Sequence, residues 1–223
     1  MSLAEHPVTS PDAVRPAYLE AAARAAVLLA DPRVASAWAD GSVLAGMTVG
    51  ALAGHVARSV LQVEWFLDGP LDDTLEATSG VTYYARITDA ADPGSDLNRG
   101  VRARSEESAA AGPVAVAGDT AAALDRVRDR LLREPADRRV AILHRPGEEM
   151  LLDEYLRTRC VELAVHTDDL ALSVGADARA PEAATAVAID LLVGAGAARH
   201  GSLAVLRALT RRERDEVGAL RVL

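Results

Sequence analysis

Apolar positions recur at helical spacing along most of the chain. Tyr18, Ala22, Ala25 and Leu29 share one face of a segment predicted as a helix over 11–30, opened by Ser10 or Asp12 and stopped by Asp31-Pro32. Residues 31–47 read as a connector with Gly41, Ser42 and Gly46. Thr48 predicts an N-cap for a second helix over 49–67, ended by Asp68-Gly69-Pro70. The stretch 71–92 is irregular, and its Val81-Thr82-Tyr83-Tyr84 run fits strand, loop or helix. A third helical region covers 94–133, where Gly112-Pro113 introduces a kink or a break. Apolar runs at 139–143 and 149–152 flank Arg145-Pro146-Gly147 and predict a small hairpin. Helices over 153–174, 181–199 and 203–212 follow, with Pro181 in the first turn of the second. Four long helices, one hairpin and extra C-terminal helices predict an all-α bundle. With no repeat and no low-complexity linker, residues 1–223 read as one domain.

The helix over 153–174 breaks its own apolar pattern. Projected at ~100° per residue, Tyr155, Arg159, Glu162, His166 and Asp169 fall in one wedge. Leu156, Leu163, Leu170 and Val174 border it on one side, and Val161, Val165 and Leu172 on the other. The polar wedge therefore lies in the middle of the stripe that should face the core. Ionisable groups there are costly unless they are paired or bind a metal. Glu162 and His166 stand at i and i+4, so carboxylate and imidazole can reach one cation together. An ion pair between Glu162 and Arg159 is the alternative explanation for a buried carboxylate. Tyr155 and Asp169 are expected to reach solvent at the wedge edge.

A catalytic metal usually has three protein ligands and one open position. Of the five histidines, His6 lies in a loose N-terminus and His144 at a hairpin tip, and both are poor candidates. His200 follows a helix end, where a cation meets the dipole favourably. His55 borders the stripe of Leu52, Val56, Val63 and Phe66, with Ser59 and Gln62 beside it. It is either a third ligand or a satisfied core histidine.

Composition narrows the classes. Half of the residues are hydrophobic but only 3% are aromatic, so the core is built mainly from Ala, Leu and Val. Every basic residue is arginine, which fits the coding bias of a GC-rich, actinobacterial genome. The net charge of −9 argues against nucleic-acid partners. The single cysteine, Cys160, excludes an internal disulfide and fits a reducing compartment. It projects away from the polar wedge, as a buried residue rather than a nucleophile. No signal peptide or membrane span is evident, and a cytoplasmic location is expected.

Several blocks resemble the mycothiol-dependent maleylpyruvate isomerase family of the DinB-like superfamily. Residues 42–49 (Ser-Val-Leu-Ala-Gly-Met-Thr-Val), with Leu52 and His55, are similar to its first-ligand helix. Tyr155-Leu156-Arg157-Thr158-Arg159 leading into 161–171 is similar to its second signature. Arg199-His200-Gly201, followed by 206–209 and 211–214, is similar to its usual ending. The family often has Trp where Met47 stands and an acidic residue where Ala51 stands. The resemblance implies a DinB-like up-down four-helix bundle with a divalent metal, typically zinc, at one end of its seam. Carried over by position, the ligands are His55, Glu162 and His166. It also implies mycothiol as a thiol cosubstrate. The isomerase itself has an additional C-terminal domain that contributes to catalysis, and this chain is expected to lack it.

Three functional classes follow. In the first, the metal activates a low-molecular-weight thiol toward a small electrophile, by transfer, conjugation or isomerisation, and Arg159 pairs with a carboxylate of substrate or thiol or supports Glu162. In this reading Tyr83 and Tyr84 border the pocket. In the second, a metal-dependent hydrolase, water takes the open position, but no further Glu at the spacing of a metalloprotease base is present. The third is a non-catalytic bundle whose structural metal is closed by Asp169. The alanine-rich helix at 181–199 packs either internally or against a second copy in a homodimer.

Overall fold

A computed structural model describes residues 13–88, 92, 94–210 and 217–222. The expected all-α architecture is present, with one small antiparallel hairpin. Helices α1 (Val14–Leu29), α3 (Val49–Leu67), α6 (Pro113–Leu131) and α7 (Leu152–Val174) pack around a single core. Helix α5 (Asp96–Ala109) lies against α3, and α8 (Glu182–His200) lies against α7 and α1. Ser10, Asp12 and His6 fall outside the described residues, as do the last two positions of the helix expected over 203–212. Its described part is α9 (Ser202–Thr210).

Local chemistry sets the boundaries. Thr48 Oγ1 accepts from the backbone N–H of Ala51, so the predicted cap opens α3. Asp31 stops α1 and at once caps a short helix, α2 (Pro32–Ser36), inside the expected connector. The irregular stretch resolves as a short helix, α4 (Gly80–Ala85), capped by Ser79. Gly112, at φ +84°, divides the third helical region into α5 and α6 rather than kinking it. The hairpin is β1 (Arg139–Ala141) with β2 (Glu149–Leu151), in register Val140↔Met150. Gly175 adopts the left-handed conformation that ends α7, as expected of a C-terminal glycine.

Arginines fasten the elements together. Arg15 of α1 donates to the carbonyls of Leu131 and Glu134 and, at 2.7 Å, to the carboxylate of Asp153. One guanidinium thus fixes the end of α6 and the start of α7. Arg199, near the end of α8, donates to the carbonyls of Tyr84 (2.6 Å) and Val222 (3.2 Å). That contact satisfies C-terminal carbonyls of α4 and holds it against α8.

Close backbone approach places α5. A Cβ on Gly54 would lie 2.4 Å from the carbonyl oxygen of Ser105, so only glycine admits the helix at this distance. Leu172, expected on the apolar stripe of α7, is 64% exposed instead. The helix turns that position beyond the reach of the packed neighbours. Among the described residues, no helix is long and apolar enough to cross a membrane.

Candidate metal centre

α3 and α7 are packed neighbours, and their contact brings His55 to Glu162 and His166. One ligand-type atom from each of the three lies within 4.8 Å of the others. His55 Nε2 is 3.1 Å from Glu162 Oε2, and His166 Nε2 is 3.6 Å from the same oxygen. The imidazole rings meet edge to face, with centroids 4.5 Å apart.

Hydrogen bonds outside this group settle which nitrogens face inward. The Ser105 hydroxyl donates to the carbonyl of Val101 at 2.7 Å, so its oxygen is left to accept from His55 Nδ1–H at 3.3 Å. His166 Nδ1–H donates to Asp169 Oδ2 at 2.9 Å. Both rings therefore turn a bare Nε2 lone pair toward the Glu162 carboxylate. The other carboxylate oxygen accepts from the Tyr84 hydroxyl at 2.7 Å. Three acceptors converge with no donor between them, an arrangement that repels itself until a cation or a proton enters. These residues fit a divalent metal: two imidazoles and a carboxylate, each oriented by an outer partner.

The electrostatics favour the ligand forms. Burial pushes the Glu162 carboxyl up, but contact with His55 and the charge of Arg159 hold it well below the usual carboxylate range. Burial, then the neighbouring His166, pushes His55 down, so its imidazole stays neutral. Burial and the Glu162 charge raise the Tyr84 phenol, which remains a donor. Metal ligation requires an ionised carboxylate and unprotonated imidazoles.

The remaining candidates fall as follows. Arg159 is 6% exposed; it donates to Gln62 Oε1 at 3.2 Å and lies 4.9 Å from the Tyr155 ring centre. The direct ion pair with Glu162 considered from the sequence is not formed, because the side chain runs toward α3 instead. Asp169 does not reach solvent freely but holds His166, and Tyr155 is buried against Phe66 and Arg159. Cys160 is fully buried on the far side of α7, and burial pushes its thiol up to about 12.

A cavity of about 480 Å³ adjoins the three residues. Tyr83 and Tyr84 border it, as expected. Sequence reasoning missed several contributors, Ser105 and His144 among them. Ser105 is an unremarkable serine whose only signal is the glycine opposite it. His144, set aside as a hairpin-tip residue, lines the cavity because the turn between β1 and β2 folds back over α3 and α4.

A family model described as the mycothiol maleylpyruvate isomerase N-terminal domain matches residues 18–171. No curated protein matches the chain, and no solved structure does. The matched span contains all three converging residues, together with Tyr84, Ser105 and Asp169. The chain belongs to the mycothiol maleylpyruvate isomerase N-terminal domain family.

Proposed function

We propose that His55, Glu162 and His166 hold one divalent cation, with zinc the expected metal, and that the protein is a cytoplasmic enzyme joining a low-molecular-weight thiol, mycothiol, to a small electrophile. The observation that carries this reading is the meeting of two inward imidazole lone pairs on one ionised carboxylate, each group held in that orientation from outside. A divalent cation at such a site supplies Lewis-acid chemistry, which makes a coordinated thiol a nucleophile near neutral pH. That explains how a protein whose single cysteine is buried can run thiol chemistry.

The chain's own residues supply the rest. Ser105 and Asp169 fix the imidazole tautomers, and the Tyr84 hydroxyl occupies the carboxylate oxygen turned away from His55. Leu44, Ile87, Leu97 and Val101 form apolar walls that keep water from competing with the thiol. Arg159, on the cavity wall, pairs with a carboxylate of substrate or thiol or supports Glu162 by its charge. With Asp169 engaged by His166, the three-residue group retains an open face toward the cavity, as a reactive centre requires. The reaction is thiol transfer, conjugation or isomerisation.

Metal analysis of the purified protein tests the centre. Stoichiometric divalent metal is expected, lost on replacing His55 and His166 together by alanine. Retention of the metal in that double variant would remove the proposed ligands. Titrating mycothiol into cobalt-substituted protein then tests the chemistry. A thiolate charge-transfer band is expected, and its absence would favour water in the open position and a hydrolase.

A further inference from the structure

The two oxygens of Glu162 have different surroundings. Oε2 faces the imidazoles, 3.1 Å from His55 Nε2 and 3.6 Å from His166 Nε2. Oε1 accepts from the Tyr84 hydroxyl at 2.7 Å. Arg159 acts on Glu162 through its charge, while its N–H groups donate to Thr158 Oγ1 and Gln62 Oε1. The phenol is therefore the group that holds Oε1 back. Tyr84 is 1% exposed, so bulk water does not take its place.

A single hydrogen bond restrains a carboxylate only if the donor is itself fixed. Tyr84 stands on α4, which is six residues long. A helix of that length is not stable alone, and its neighbours decide where it lies. Ser79 caps it, and Glu154 of α7 accepts from the N–H of Gly80 at 2.7 Å. Arg199 of α8 donates to the carbonyl of Tyr84 itself at 2.6 Å. Packing leaves little slack. A Cβ on Gly80 would lie 2.9 Å from Leu191 Cδ1, and one on Gly194 would lie 3.1 Å from Val81 Cγ2. The backbone of Tyr84 is thus held from α8, and its hydroxyl holds Glu162 on α7.

We infer that Tyr84 limits Glu162 to one oxygen on the cation and so keeps a coordination position open toward the cavity. Carboxylates bind divalent cations through one oxygen or through both. Three single-atom ligands leave a tetrahedral cation one open position, as reactive centres require; a fourth protein atom closes it, as in structural centres. A buried, ionised oxygen that loses its donor is left with an unmet demand for positive charge, and the cation is beside it. Tyr84 is a positioning residue that acts through Glu162. The inference rests on the metal centre proposed above.

Cobalt(II) is loaded to saturation into the parent protein and into Tyr84→Phe, which keeps the ring. Sodium azide is then titrated while the cobalt d–d bands are recorded. Azide perturbs the bands of the parent protein and not those of Tyr84→Phe. With manganese(II) in place of cobalt, water proton relaxation is weaker in the variant, because the second carboxylate oxygen displaces bound water. Unchanged azide response and unchanged relaxation would overturn the inference. A tyrosine that merely supports the fold alters metal affinity and leaves the shell of a saturated ion alone. The parent protein also answers directly, should Tyr84→Phe fail to fold. In infrared difference spectra of zinc-loaded against metal-free protein, the Glu162 carboxylate stretches are assigned by their loss in Glu162→Gln. A wide separation between them is expected of one bound oxygen, and the narrow separation of two would overturn the inference. A parent protein that takes up no divalent metal removes the centre and this inference together. Metal uptake with a response indifferent to Tyr84 removes this inference alone. An open position that takes azide but supports no thiol chemistry leaves Tyr84 in this role and counts against the enzymatic function.

Discussion

Ser105 reaches Nδ1 of His55 from a different helix, and it does so because the residue before His55 is glycine. The 2.4 Å that a Cβ on Gly54 would leave to the Ser105 carbonyl makes the approach of α5 conditional on that one position. Gly54→Ala should therefore push α5 away from α3. A loss of about 1–3 kcal/mol in unfolding free energy is expected, the usual cost of overpacking. Metal affinity should fall with it. Chemical denaturation and a chelator competition measure the two effects, and unchanged affinity would mean that Ser105 does not orient His55.

The outer partners can be tested singly. Asp169→Ala and Ser105→Ala should each lower metal affinity by roughly 10–100-fold, with Asp169→Ala the larger because a carboxylate is the stronger acceptor. The fold should survive both. An Asp169→Ala variant that binds metal as tightly as the parent protein would contradict the tautomer assignment of His166.

Removing the Arg199 side chain should loosen α4. Its guanidinium bonds carbonyls at the end of that helix and at Val222, so Arg199→Met leaves several buried acceptors without a donor. Faster amide exchange is expected across residues 80–85. Because Tyr84 reports to Glu162 from that helix, the metal site should weaken as well. Faster exchange confined to residues 217–222 would show that Arg199 holds the tail and not α4.

His144 should give the protein a defined acid sensitivity. Its folded pKa is about 3, while an unfolded imidazole titrates near 6.5. Between those values the unfolded chain binds a proton that the folded one refuses. Stability is therefore full above about pH 6.5 and declines as pH falls toward 3. At pH 5 the loss is about 1–2 kcal/mol after allowance for solvent screening. His144→Gln should flatten that part of the profile, measured by denaturant titrations at pH 7 and pH 5 in the absence of metal.

Cys160 should be silent. A buried thiol pushed up to about 12 offers almost no thiolate. Native protein should resist aromatic disulfide reagents, and Cys160→Ala should keep its metal content and any thiol-dependent activity. Loss of activity with the fold intact would reopen the question of a protein nucleophile.

Periodicity made α3 and α7 legible because both helices bury a long face and carry sharp ends, Thr48 for one and Gly175 for the other. The wedge of Glu162 and His166 was legible for the same reason: charge in an apolar stripe needs an explanation. Other parts depend on contacts between distant segments. Six residues around Tyr84 hold no helical period of their own, and α4 exists because Ser79, Glu154 and Arg199 satisfy its ends. His144 looks peripheral in a turn and is brought to the cavity by a tertiary fold-back. Tyr155 looks like a wedge-edge residue and is enclosed by Phe66 and Arg159. The Leu172 position shows the converse: helical projection assigns an angle, but not how far the neighbouring helices extend around it.

The hairpin is held by three-residue strands, yet its turn places Arg145 and His144 on the wall of the cavity. The helices that carry His55, Glu162 and His166 are fixed by their packing in the bundle. The turn is free of that constraint. Exchanging the side chains at this turn should therefore change what the cavity admits while leaving His55, Glu162 and His166 where they are.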